Sequence, residues 1–368
     1  MKTTLLITAS VLALGTVPVV AQTVESGGTG LNLKLSGQVN RGVLFADDGE
    51  DTNTFFVDND NSSTRFRLTG DAAINEDWRA GFNIEIEAES NSTADVNQND
   101  PNPSSADFLG ERKLEGYIES RTYGRLTIGQ GDTASNDTSE VDLSGTSVVG
   151  YSAVEDFAGG VLFSNGDGTL SDISIGAAFT NLDGFSRRDR IRYDTPSISG
   201  FVLSGSIGTD SDEADEIFYD VAANYSGSFG GIKVAGAVAY TFQEVGGADE
   251  EGVNGSISAL LDSGFSLTLA GGTRDTENVD DDPMFGYVKA GYQADWTSLG
   301  TTALAVDYTV SEDVLGIDDE STSYGLLAVQ NIDKASTELY IGVRNFEIDG
   351  AGDLDDVTAV LAGARFKF

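Results

Sequence analysis

From residue 31 onward the chain repeats one pattern: runs of about 8 to 14 residues in which apolar and polar positions alternate, separated by Gly/Asp/Asn/Ser clusters. Trp78 to Glu89 is the clearest run. Trp78, Ala80, Phe82, Ile84, Ile86 and Ala88 fall on one face, and Arg79, Asn83, Glu85, Glu87 and Glu89 on the other. Successive side chains of a strand point to opposite sides, so this alternation predicts a strand with one apolar and one polar face. The pattern recurs in 284–296, where Val288, Ala290, Tyr292 and Trp296 oppose Lys289, Gln293 and Asp295. In 337–346, Leu339, Ile341 and Val343 oppose Glu338, Tyr340 and Arg344. Long amphipathic helical patterns are absent, which predicts an all-β chain.

In order, the expected strands are 31–46, 63–74, 78–90, 111–121, 123–130, 188–195, 200–209 and 216–226, then 231–243, 251–262, 264–275, 284–295, 299–310, 320–330, 336–347 and 357–368. The number is even, and short connections such as 75–77, 196–199 and 297–298 take turns with longer acidic ones. A transmembrane barrel sorts its connections between two rims in this way. Ten residues at about 3.4 Å, tilted by about 40°, rise roughly 26 Å, close to the apolar band of an outer membrane. The expected fold is therefore a 16-stranded antiparallel transmembrane β-barrel. A run at 172–181, with Ile173, Ile175, Ala177 and Phe179 alternating, would make seventeen; parity places it inside the long connection 131–187. A connection of that length is uncommon unless it is functional.

The first residues follow another rule. A basic Met1-Lys2, an apolar run from Leu5 to Val20 and a small residue at Ala21 predict a signal peptide, 1–21, with Gln22 opening the mature barrel unit, 22–368. Composition then removes whole classes of chemistry. No histidine and no cysteine means no Ser-His or Cys-His catalysis, no disulfide framework and no structural zinc site. With 60 acidic against 21 basic residues, the net charge of −39 repels nucleic-acid phosphates. Carboxylate pairs can serve a glycosidase, but nothing singles one out. The expected function is a passive conduit and not an enzyme.

Several fragments carry a family resemblance. Residues 63–70 (STRFRLTG), 77–82 (DWRAGF), 124–131 (GRLTIGQG), 191–196 (IRYDTP) with Gly200-Phe201, and the aromatic ending 364–368 (ARFKF) fall in the order found in porins. The chain resembles a bacterial general porin of the alphaproteobacterial outer membrane, over essentially its whole mature length. The resemblance implies a homotrimer of 16-stranded barrels that lets small hydrophilic solutes diffuse passively. It implies contact with outer-membrane lipid and lipopolysaccharide, and recognition of Phe368 by the barrel-assembly machinery. It also makes 131–187 a constricting loop folded into the lumen.

Charge distribution suggests where such a pore is decided. The loop carries Asp132, Asp137, Glu140, Asp142, Glu155 and Asp156, and no basic residue before Arg187. Of the 20 basic residues after the leader, 13 lie between Lys34 and Arg192. Lys34, Arg65, Arg67, Arg79, Lys113, Arg125, Arg190 and Arg192 fall on polar strand faces, whereas Arg41 falls on an apolar register. An acidic loop opposite this basic wall sets a transverse field across a narrow aqueous gap, and the acidic excess predicts cation preference. Acidic loop clusters at 47–51, 280–282, 318–320 and 353–356 offer oxygen ligands for structural calcium or for divalent bridges to lipopolysaccharide, without EF-hand spacing. Two other readings remain open at this point: a substrate-specific channel of the same fold, and a secreted soluble β-sandwich or adhesin.

Overall fold

Strands with one apolar and one polar face must cover both, and here they do so by curling into a closed ring. The structure is a computed structural model; it describes residues 22–25, 30–103, 108–209, 217–279, 282–316 and 318–368. The expected leader, 1–21, lies outside the described residues, as do Asp280 and Asp281 of one acidic cluster.

β1 is Asn32–Asp47. β2 comes in two pieces, Thr52–Asp58 and Arg65–Ala73, and β3, β4 and β5 are Trp78–Ala88, Leu109–Ser120 and Gly124–Asp132. β6 to β10 are Arg187–Asp194, Phe201–Thr209, Ile217–Phe229, Ile232–Val245 and Ala248–Leu261. β11 to β16 are Phe265–Thr276, Met284–Thr297, Gly300–Glu312, Glu320–Ile332, Thr337–Asp349 and Val357–Lys367. Each pairs antiparallel with the next. β5 joins β6 across the long connection through Ile128 opposite Ile191, and β1 closes on β16 from Gln38 opposite Lys367 to Asp47 opposite Thr358. The sheet has 18 hydrogen-bonded segments; one is a short strand, Gln22–Glu25, on the free half of β1, and two are pieces of β2, so 16 strands form the ring. Two sheets packed face to face are thereby excluded.

Outward positions are aliphatic: Leu203, Ile207, Val221, Ile257, Leu326 and Ile341 are exposed, while their chain neighbours Ser204, Ser206, Asp220, Ser258, Leu327 and Tyr340 are buried. Aromatic rings bracket this band. At the rim of short turns, Trp78 lies near Tyr123 (6.2 Å), Phe201 near Tyr225 (4.6 Å) and Phe265 near Tyr292 (4.7 Å); toward the other rim, Tyr219 stacks on Phe242 (4.7 Å). An apolar belt between aromatic girdles is the surface that a bilayer requires of a barrel.

Two departures from the expected pattern have physical causes. The stretch Thr52–Asp58 starts β2 well before residue 63, because Asp48 closes a tight turn by accepting hydrogen bonds from the backbone N–H groups of Glu50 and Asp51. The connection between β9 and β10 is only Gly246-Gly247, both at positive φ, so the rims are less strictly sorted by length than the sequence suggests. Residues 172–181 lie inside the long connection, where strand parity placed them, and do not cross the membrane band. Leu170–Ser174 pairs with Leu162–Ser164 inside the long connection, and a single helical turn, Ile175–Ala178, follows.

Candidate functional site

The long connection is docked, residue by residue, on the inner face of the ring. The backbone N–H of Ala134 donates to Ser206 Oγ on β7 (2.9 Å), and that of Ser135 to Asp220 Oδ2 on β8 (2.7 Å). On β10 a polar row with strand period two (Asn254, Ser256, Ser258) receives the segment. Thr138 Oγ1 donates to Asn254 Oδ1 (2.6 Å), Val141 N to Ser256 Oγ (2.9 Å) and Leu143 N to Ser258 Oγ (2.9 Å). Asp142 meets Thr268 Oγ1 on β11 (3.1 Å) and Lys289 Nζ on β12 (2.8 Å); Lys289 also donates to the Gly150 carbonyl (2.7 Å). Beyond Gly150 the contact turns apolar. Val149, Phe157, Phe163, Ile175 and Phe179 pack with Leu44 of β1, Phe55 of β2, Leu327 of β14, Phe346 of β15 and Leu361 of β16. A single segment touches this same face of strands around most of a closed ring only from inside it.

Two buried ion pairs lie beneath the connection, the first joining it to β12 and the second joining β15 to β13. Lys289 and Asp142 are almost fully enclosed, and so are Arg344 and Asp307, whose pair spans 2.8 Å. Arg344 Nη1 also donates to Ser323 Oγ (3.2 Å), and its guanidinium lies 5.8 Å from the ring of Phe157 on the connection. Burial alone would raise the Asp142 carboxyl, but Lys289 and two hydrogen bonds from Ser144 hold it below the usual carboxylate range.

On the other side a polar cavity of about 940 Å³ stays open between the connection and β1, β2, β4 and β16. Its walls differ in sign. Lys34, Arg65, Arg67, Arg112, Arg365 and Lys367 come from the strands, and Arg187 from the start of β6; Asp137, Glu140, Glu155, Asp156 and Asp183 come from the connection. On the strand side five of these cations have carboxylate partners. Buried Glu85 meets Arg67, Arg112 Nε (3.0 Å) and Arg65 (3.6 Å), and Glu87 takes a second bond from Arg112 (2.5 Å). Glu338 meets Arg365 (2.5 Å) and Lys367 (2.7 Å).

The acids of the connection instead face one another. Carboxylate oxygens of Asp137, Glu140 and Asp183 lie within 4.8 Å of each other. Burial, then the charge of Asp137, raises Asp183 well above the usual range; burial, then Asp183, does the same to Glu140. Burial raises Glu155 to about 7. Burial and then Glu155 raise Asp156 to about 7, although Tyr151 Oη donates to it.

The structure therefore gathers Lys34, Arg65 and Arg67 opposite Asp137, Glu140, Glu155 and Asp156, and places the other expected residues elsewhere. Asp142 lines the cavity but is committed to Lys289. Asp132 ends β5 and pairs with Lys113. Arg190 is buried against Glu115, with Nε on the Asp132 carbonyl (2.9 Å), and Arg192 Nη1 holds the Thr133 carbonyl (2.6 Å), so both fasten the root of the connection. Arg79 pairs with Glu119 (2.9 Å), and Arg125 lies 3.7 Å above the Tyr117 ring. Phe368 also lines the cavity, its backbone paired in both directions with Gly37.

Alternation could not find Arg112. Glu85 is opposite Lys113 and Ile86 opposite Glu111, so Arg112 is the extra residue of a β-bulge, and two successive basic side chains face inward. Arg187, Arg365, Lys367 and Asp183 stood in the sequence as ordinary strand-end or loop charges.

Residues 8–351 match the family model described as Gram-negative porin. Among solved structures the chain is similar to an anion-selective porin from Comamonas acidovorans, with 18% identity, TM-score 0.63, and 92% of this chain and 100% of that one covered. It is similar to OprB of Pseudomonas putida, with 11% identity, TM-score 0.64, and 92% and 94% covered. It is also similar to the trimer form of OmpT, an outer membrane protein of Vibrio cholerae, with 14% identity, TM-score 0.56, and 92% and 100% covered. At such identities the likeness carries the fold. No curated protein matches the chain.

Proposed function

The chain belongs to the Gram-negative porin family and is an outer-membrane channel for solute diffusion; from that premise we propose that the two-signed cavity is its constriction, passing small hydrophilic solutes with a preference for cations. The observation that carries this reading is the asymmetry of pairing. Arg65, Arg67 and Arg112 share Glu85 and Glu87, and Arg365 and Lys367 share Glu338, whereas Asp137, Glu140 and Asp183 have one another for neighbours. A mobile cation entering beside these three acids relieves their mutual repulsion, which the paired carboxylates of the wall do not need, so the connection favours cations in the gap.

Reversal potentials in a salt gradient across a planar bilayer test this. Cation preference is expected, and replacement of Asp137, Glu140 and Asp183 together by their amides is expected to reduce the permeability ratio several-fold. Clear anion preference of the unaltered protein would reject it. Saturable block by a single sugar or amino acid would favour a substrate-specific channel of the same fold.

The working assembly in this reading is a homotrimer, supported by one observation on the outer face. Arg41, on the exposed side of β1, pairs with Asp58 (2.5 Å), which also accepts the backbone N–H of Ser90 (2.8 Å) and of Asn91 (3.2 Å). Charged groups facing hydrocarbon are costly, and a second copy of the chain would cover them. Conductance steps arriving in threes would agree. In the same reading Phe368, at the seam of β1 and β16, is the signal for the assembly machinery.

A further inference from the structure

On the outer face of β11 to β15 the aliphatic band is interrupted by a groove of about 560 Å³. Residue size makes it. In one cross-strand row Ala290 stands between Leu267 and Val306, and in the next Ala328 stands between Leu304 and Ile341. Two alanines among large neighbours leave a trough between the side chains. At the short-turn end Phe265 and Tyr292 bound it, and Trp296 lies 5.8 Å beyond Tyr292.

We propose that this groove binds one acyl chain of an anionic glycerophospholipid from the inner leaflet, with the lipid phosphate meeting Lys334. The groove is continuous with the membrane-facing band, so an apolar chain of the bilayer is what covers it. It occupies the half of the strands toward the short-turn rim, where the aromatic girdle marks the headgroup level. Lys334 is exposed in the turn Asp333–Ala335 that joins β14 to β15, the strands carrying Ala328 and Ile341. Among the described residues the turns of this rim hold one other basic residue, Arg121, between β4 and β5, and Lys233 stands at the start of β9. A lipid entering from the opposite leaflet would instead meet the acidic connections. The proposal rests on the placement of the barrel in the outer membrane and is independent of its ion selectivity.

The chain has two tryptophans, so Trp78→Phe leaves Trp296 as a reporter at the mouth of the groove. This protein, in micelles of a neutral detergent, is titrated with phosphatidylglycerol brominated on its acyl chains. Quenching of Trp296 is expected to saturate at low mole fraction, as for a site. With Ala290→Phe and Ala328→Phe filling the groove, quenching should become linear in lipid, as for bulk contact. Bilayer conductance of the filled variant should be unchanged, because both substitutions face away from the cavity; if it does not fold, Ala328→Leu alone should raise the half-saturating lipid fraction. Lys334→Ala should weaken apparent affinity about fivefold, the loss of one basic contact to an anionic headgroup, and should leave brominated diacylglycerol unaffected. Linear quenching in the unfilled protein, saturation that survives filling, or indifference to Lys334→Ala would overturn the proposal.

Discussion

The inner face of this barrel does two jobs, and its two halves show how little sequence separates them. Behind the long connection, β7 to β15 present serines, alanines and two enclosed cations, Lys289 and Arg344; across the cavity, β1, β2, β4 and β16 present arginines and lysines to water. Both halves obey the alternation of a strand. They differ in where the countercharge sits. Lys289 takes its carboxylate from the connection, so its pair is a fastener between two parts of the chain. Arg67 and Arg112 take theirs from β3, so the wall is partly neutralised within itself, while the acids of the connection are left facing one another. Pairing across an interface docks a loop, whereas pairing within a wall leaves the opposite side to set the field.

The sharpest way to break that distinction is to cut the fastener. Lys289→Met leaves Asp142 enclosed without its cation, and removing one partner of a buried pair costs about 3–5 kcal/mol. The expected result is a lower unfolding temperature in detergent together with noisy conductance, as the connection loses its hold on β12. Adding Asp142→Asn removes the stranded charge and should restore most of the stability, since a neutral pair at this site need not be desolvated as ions. If the single variant is as stable as the parent, the pair is not a fastener.

A smaller effect is expected from acid. Glu155 is raised to about 7 by burial, and Asp156 to about 7 by burial and then by Glu155, so both gain protons as pH falls from 8 to 6. The connection then loses negative charge, and cation preference should decline over that window in reversal-potential measurements. The sign for folding is opposite. A carboxyl whose folded pKa is raised favours the folded state fully below its unfolded value, near 4, and that contribution is lost as pH rises through about 7. Asp142, held low by Lys289, keeps its charge throughout, so docking is not released. Selectivity that stays constant or grows more cationic on acidification would show that these two carboxylates do not face the conducted ions.

The ring was legible in the sequence because a barrel writes itself in period two: the crossings after β2 and the parity that put 172–181 inside the connection both came from alternation. What alternation hides is the second use of the inner face. Positions such as Leu44, Leu327 and Leu361 break the pattern by being apolar beside apolar outward neighbours, in 43–46, 326–329 and 359–362. Those runs were the available signal that something apolar, here Phe157 and its neighbours, rests on the inside of β1, β14 and β16. Ion-pair partners were less accessible still. Lys113 and Arg112 differ by one position, and only the bulge opposite Glu85 decides that both face inward. Arg190 read as a wall charge because nothing in one strand shows that Glu115, two strands away in the chain order, encloses it.

Arg79 is where the comparison should show almost nothing. It has the residue type, the strand face and the sequence neighbourhood of the cavity arginines, yet it lies opposite Glu119, with both side chains partly open to solvent. An exposed pair of this kind contributes about 0–1 kcal/mol, because water screens it and both side chains lose freedom in making it. Arg79→Gln should therefore move the unfolding temperature little and leave reversal potentials unchanged, whereas Arg67→Gln should leave Glu85 less compensated and shift them toward cations. Equal shifts from the two variants would mean that any basic residue on these strands sets the field. A shift from Arg67 alone would mean that the field belongs to the cavity, where charges of opposite origin face each other across open space.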